Sequence, residues 1–283
     1  MRYRLLLGLC LLLSVAANAQ SNLVVMTYNI RLNTADDSLN AWPYRKDKLA
    51  SQVLFHAVNI LGVQEAQDNQ MIDLRARLPK FNSCGGGRDD GKTGGEYSAI
   101  FYDTTRLIKL QDGQFWLSEK PNVPGSKGWD ASFPRIVTWA QFKDRRSNKD
   151  FYVFNTHFDH MGKIARRESA NLLMEKRQSI AGETPSIVMG DFNSEPTDEP
   201  IRLLSDKRNL RAFVNSEAIS ATPHYGPTGT FNGFGPKEVN DNPIDYIFLK
   251  GRWVVLRHAT LSQTWNGRFA SDHFAVMTEL RLF

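Results

Sequence analysis

The stretch "SIVMGDFNSEP", Ser186 to Pro196, is where the reading of this chain turns. It opens as a buried strand, Ile187-Val188-Met189, and then sets a carboxylate, Asp191, and a carboxamide, Asn193, on either side of Phe192. On an ideal strand, residues two apart point the same way, so Asp191 and Asn193 would face one side and Phe192 the core. Asp and Asn are also ordinary turn and cap residues. The choice therefore depends on whether other strand ends carry groups of the same kind.

They do. "VMTYN" ends on Asn29 and "NILGVQE" on Glu65; "DFYVFNTHFD" carries His157; "IDYIFLKG" begins with Asp245; Asp272 and His273 stand just before the last strand. If these ends meet at one edge of a layered sheet structure, four carboxylates, two imidazoles and two carboxamides share a pocket. Close carboxylates repel one another, and such a cluster calls for a cation. Oxygen donors without cysteine suit Mg²⁺, Mn²⁺ or Ca²⁺ rather than a structural zinc.

Between these ends the chain reads as strands in hairpin-like pairs with occasional helical crossovers. Helices are predicted over 43–58, 67–78, 163–181 and 199–205. "YSAIFYD", "RLIKLQDGQFWLSE" and "WVVLRHATL" read as strands, and "RIVTWAQFK" with "DFYVFNTHFD" as a hairpin. No repeat, low-complexity tract or linker interrupts the chain. The pattern favours one layered α/β (α+β) domain with two sheets and outer helices. The glycine-rich segment "GGGRDDGKTGGE" (85–96) does not match a phosphate-binding G-x-x-x-x-G-K-[ST] loop and reads as a mobile loop, with a lid as its functional alternative.

The first residues, "MRYRLLLGLCLLLSVAANAQ", have Arg2 and Arg4, an apolar run from Leu5 to Val15 and a small-x-small site at Ala17-Asn18-Ala19. This predicts a signal peptide over 1–19 and a mature domain over 20–283, exported to the periplasm or outside the cell. Cys10 lies inside the apolar run, which argues against lipidation. Removing 1–19 leaves Cys84 without a disulfide partner and lowers the formal charge from +5 to +3. Stability must then come from the core, and the mild positive charge is not that of a dedicated nucleic-acid binder. No later stretch is long and apolar enough to span a bilayer.

The ordered set "TYN", "QE", "NTHFDH", "GDFNSEP", "IDYIF" and "SDH" resembles the endonuclease/exonuclease/phosphatase superfamily, the deoxyribonuclease I-like proteins, over essentially the whole mature chain. The resemblance implies a four-layer sandwich of two packed mixed β-sheets flanked by helices. It implies metal ligation by Glu65 and Asp272 with help from Asn29, and catalytic roles for His157, Asp191, Asn193, Asp245 and His273. It also implies phosphate contacts from Arg135, His157 and Asn193, and a histidine-orienting carboxylate at Glu96. The implied cofactor is Mg²⁺ or Mn²⁺, with Ca²⁺ as an alternative. The implied activity is hydrolysis of a phosphoester by a monomer: an exported nuclease or phosphodiesterase first, then a phosphatase or phospholipase C-like enzyme acting on a small-molecule or lipid ester. A catalytically inactive binding module is the alternative of another class, against which stands the presence of Glu65, Asp191, Asn193 and His273. His160 is left between pocket lining and plain loop. His56, His224 and His258 receive no role, and Trp116, Trp129 and Trp139 read as packing residues.

Overall fold

The computed structural model describes residues 22–235 and 242–283; the expected leader, 1–19, lies outside them. Two six-stranded sheets face each other. The first contains β1 (Leu23–Asn29), β2 (Ile60–Gln64), β3 (Phe81–Cys84), β4 (Ile100–Asp103), β11 (Trp253–Leu261) and β12 (Ala275–Leu282), in the order β11-β12-β1-β2-β4-β3. The second contains β5 (Leu107–Trp116), β6 (Ile136–Asp144), β7 (Asp150–His157), β8 (Ser186–Asp191), β9 (Val214–Asn215) and β10 (Asp245–Lys250), in the order β5-β6-β7-β8-β10-β9. Both sheets are mixed, as the resemblance implied: β1 runs parallel to β2 and β7 parallel to β8, while the other pairings are antiparallel.

The layering follows from period-2 alternation in strands that are buried on both faces. In β8, Ile187 and Met189 enter the core between the sheets, whereas Val188 faces the outer core under α3 (Lys163–Ala181) and α4 (Glu199–Leu204). In β1, Leu23 and Val25 enter the inter-sheet core, while Met26 and Tyr28 face the core under α1 (Lys46–Phe55) and α2 (Asp68–Arg77). Three apolar cores thus separate four layers. Each large side chain buried in them contributes roughly 1.5–3 kcal/mol.

This topology gathers the functional groups. Two parallel pairs, one per sheet, end at the same edge, and they deliver Asn29, Glu65, His157 and Asp191 there. The antiparallel neighbours begin where those strands end: β10 starts on Asp245 opposite Asp191, and β12 follows directly on Asp272 and His273. A buried polar tie fixes one sheet against the other below the edge. Asn155 donates to the carbonyls of Val63 and Ala99 at 2.9 and 2.8 Å, and Gln64 donates to Asn155 Oδ1 at 2.7 Å. Gly62 makes room for this tie, since a Cβ there would lie 2.8 Å from Asn155 Oδ1.

Two strands were not expected from the sequence. β3 alternates poorly, with three of its four residues at least partly exposed, and β9 is only two residues long. The helix expected over 43–58 is shorter: a 3₁₀ turn at Trp42–Tyr44 precedes α1, which stops at Phe55. The segment 85–96, expected as a mobile loop, carries its own hydrogen bonds. Gly87 N donates to Lys92 O, Asp89 N to Gly94 O and Arg88 N to Glu96 O, and Asp90 Oδ1 accepts from the amides of Lys92 and Gly94. The segment is a hydrogen-bonded hairpin whose close backbone approach demands glycine: a Cβ on Gly87 would fall 2.0 Å from Gly94 O.

Candidate active site

At the shared edge lies a cavity of about 510 Å³, lined by Glu65, Glu96, Arg135, His157, Asp191, Asn193, Asp272 and His273 together with Arg31, Leu32, Arg88, Phe133, His160, Phe231 and Ile244. Asn29 and Asp245 stand immediately behind this lining. Three of the residues around it depart from their strands through positive φ: Arg31 (57°), Glu65 (62°) and Asn193 (45°). Each such non-glycine residue costs on the order of 1–3 kcal/mol, and strain of this kind concentrates at functional sites. The strand-based expectation for Asp191 and Asn193 needs revision on this point. β8 ends at Asp191, and Asn193 leaves it in a left-handed turn whose amide donates to Asp191 Oδ1 at 2.8 Å. Both groups still line the cavity, and Phe192 is fully buried against Phe158, Tyr246 and Phe248.

The buried centre is a chain of polar contacts. His273 Nδ1 donates to Asp245 Oδ2 at 2.9 Å, and its Nε2 lies 3.8 Å from Asp191 Oδ2. Asn29 Nδ2 donates to both Asp191 Oδ2 (3.0 Å) and Glu65 Oε1 (2.9 Å), and its side-chain Oδ1 accepts from the Arg31 amide. Asn29 therefore spaces two carboxylates. Ser271 Oγ donates to the Asn29 carbonyl at 2.7 Å and so ties the segment holding Asp272 and His273 to the end of β1.

These environments separate the protonation states. Burial raises Asp191, the neighbouring Asp245 raises it further, and its carboxyl reaches about 7. Burial alone would lower His273, but Asp245, by charge and hydrogen bond, with Asp191 and Asp272 behind it, holds the imidazole up at about 10. His157 goes the other way: burial, then Arg135 and Arg88, push it well below the ordinary histidine range. Neutral His157 accepts from Asn193 Nδ2 at Nε2 (3.0 Å), which leaves its Nδ1 facing Glu96 Oε2 at 4.0 Å. His273 is thus cationic and His157 neutral, beside a carboxylate basic enough to take up a proton near neutral pH.

The outer wall holds Arg135, expected from the resemblance as a phosphate contact, together with residues that the motif reading did not assign. Arg135 is 4% exposed; it pairs with Asp159 (3.3 Å) and bonds His160 Nδ1 (3.1 Å), while its Nη1 is buried without a partner. Phe133 is sandwiched between the His160 ring and the Arg88 guanidinium. His160 is therefore a pocket residue. Arg31, Arg88 and Phe231 lie outside the strand-end motifs, and nothing in local composition separates them from other loop residues. Asp159 and His160 fall inside the motif "NTHFDH", where Asp159 was given no role. The unassigned His224 and His258 are not part of this lining and bond each other at 2.9 Å.

The donor chemistry fits a divalent cation. Glu65, Asp191, Asp245 and Asp272 crowd one region without cysteine, and burial pushes Asp191 and Asp272 upward, the mark of carboxylates short of positive charge. Ligand atoms of Asp191, Asp245 and His273 come within 4.8 Å of one another. His273 Nδ1 already hydrogen-bonds Asp245 Oδ2, and the carboxylates of Glu65 and Asp272 line the cavity beside this cluster.

A match to the Endonuclease/Exonuclease/phosphatase family spans residues 26–273. The chain belongs to that family. It is an enzyme that hydrolyses phosphoesters, and the family chemistry depends on a divalent metal. Among solved structures it is similar to a mannosyl-6-phosphatase of Bacteroides thetaiotaomicron, with 38% identity and a TM-score of 0.87 over 92% of this chain and 100% of that one. It is similar to an endonuclease/exonuclease/phosphatase of Bacteroides vulgatus, with 37% identity and a TM-score of 0.88 over 93% and 100% of the two chains. It also matches the protein angel of Drosophila melanogaster at 27% identity, over 83% of this chain and 71% of that one.

Proposed function

We propose that this family member is an exported, Mg²⁺- or Mn²⁺-dependent phosphomonoesterase acting on sugar-phosphate-sized esters, with 1–19 as its leader and 20–283 as one domain. The observation that carries this reading is the cavity: about 510 Å³, with Arg31 and Arg135 in its walls. That volume lies in the range of small-molecule sites, and clustered guanidinium groups suit a dianionic phosphoryl group. The nuclease expectation is placed second, because the mature charge of +3 offers no broad basic track. The 38% identical relative that is a mannosyl-6-phosphatase supports the same direction.

In this reading Glu65 and Asp272 hold the cation, and Asn29 sets the distance between Glu65 and Asp191. When bound, the cation neutralises charge on the phosphoryl oxygens and favours attack at phosphorus. Asp191 accepts the proton of the attacking water. His273, kept protonated by Asp245, donates a hydrogen bond to the charge that develops on phosphorus-bound oxygen. His157, Asn193 and Arg135 position the phosphoryl group, and Glu96 orients His157. The bond from water oxygen to phosphorus forms, the ester P–O bond breaks, and the departing alkoxide takes its proton from solvent, to which Asp191 returns the one it accepted.

A panel of hexose phosphates, nucleotides, bis(p-nitrophenyl) phosphate and DNA, assayed with Mg²⁺ and with EDTA, tests this. The expected result is highest kcat/KM on a sugar monoester, abolished by EDTA. Highest activity on DNA or the diester would return the nuclease reading to first place.

A further inference from the structure

The hydrogen-bonded segment over 85–96 brings Arg88 into the cavity wall. The Arg88 amide donates to Glu96 O (2.9 Å), and Trp116 Nε1 donates to Arg88 O (2.6 Å). Its side chain is held on two more sides, by Glu96 Oε2 at 2.8 Å from Nη1 and by the Phe133 ring, whose centroid lies 4.9 Å from Cζ. Arg88 is 9% exposed, lines the cavity, and buries its Nε without any hydrogen-bond partner. A purely structural Arg–Glu pair would not need an unsatisfied guanidinium donor, since leaving one buried carries a desolvation cost.

Position decides what such a donor would meet. Glu96 Oε2 lies 2.8 Å from Arg88 and 4.0 Å from His157 Nδ1, so the carboxylate separates the guanidinium from the histidine at the reacting centre. Glu96 thus contacts both Arg88 and His157, and Arg88 also meets the ring of Phe133, which is 47% exposed. The exposed side of a monoesterase cavity faces the alcohol half of the substrate.

We propose that Arg88 is a specificity-determining residue that hydrogen-bonds hydroxyl oxygens of a polyhydroxylated leaving group. The proposal rests on the monoesterase reading above. A preorganised planar fork matches paired oxygens, and a lysine at this position would keep the charge but lose the fork.

The test uses the full mature protein with Mg²⁺ and compares a hexose 6-phosphate with p-nitrophenyl phosphate, whose leaving group has no hydroxyl. Arg88→Ala should lower kcat/KM on the hexose phosphate by about 10- to 100-fold, the range for lost hydrogen bonds to a charged group. The p-nitrophenyl ester should change by less than about threefold. Arg88→Lys should show the same ratio in weaker form, and it supplies the comparison if the alanine variant does not fold. Equal losses on both substrates would assign Arg88 to the transferred phosphoryl group and overturn the proposal, as would no loss on either. A wild type that cleaves p-nitrophenyl phosphate but no sugar phosphate would defeat the monoesterase reading itself. Sugar phosphate turnover with an unchanged ratio in both variants would defeat Arg88 alone.

Discussion

At the scale of single residues, the pairing of His273 with Asp245 sets the charge of the site. Asp245→Asn would keep the shape but remove the anion that holds the imidazole protonated. The expected outcome is a kcat reduced by about 10²- to 10⁴-fold with KM changed little, measured on any substrate the wild type accepts. Glu65→Gln should act through the cation: activity should fall at low Mg²⁺ and recover partly as Mg²⁺ is raised, with metal binding by calorimetry weakened in parallel. The residues of the strand ends were legible in the sequence because each is a polar group closing an apolar run. Arg31, Arg88 and Phe231 were not legible. They reach the cavity from loops through tertiary contacts, and neither period nor spacing marks them.

The elements position these residues through close backbone contacts and buried polar ties. Gly190 in β8 has a φ of 151°, and a Cβ there would lie 2.0 Å from Thr156 O on β7. Gly190→Ala would force apart the two strands that carry His157 and Asp191. Backbone strain and overpacking together should cost about 2–5 kcal/mol, seen as a lower Tm with a proportionate loss of activity. A second element-scale prediction concerns acid stability. His258 on β11 bonds His224, and burial, then His224, push its imidazole down to about 3. The unfolded chain would titrate it near 6.5. Between those values the unfolded state binds a proton that the folded state refuses, so stability falls as pH drops below about 6.5 and continues falling to about 3. His258→Gln should flatten the slope of Tm against pH in that window. Long, strongly patterned elements such as α3 and β8 were legible from sequence. β3 and β9 were not, because a short strand at a sheet edge has one paired neighbour and little alternation.

For the whole molecule, the sandwich makes a site that neither sheet could make alone. One sheet supplies Asn29, Glu65, Asp272 and His273; the other supplies His157, Asp191 and Asp245. The two-sheet architecture was legible because strands outnumbered helices and came in hairpin-like pairs. That the polar ends share one edge follows from the two parallel pairs, which a list of strands does not reveal. The central claim is that this shared edge drives attack of water on phosphorus. Hydrolysis of a hexose 6-phosphate in ¹⁸O-labelled water, read by mass spectrometry of both products, tests it most directly. The account predicts one ¹⁸O atom in the released phosphate and none in the sugar, with turnover lost in His273→Ala. Label in the sugar, or phosphate release that survives His273→Ala undiminished, would contradict it.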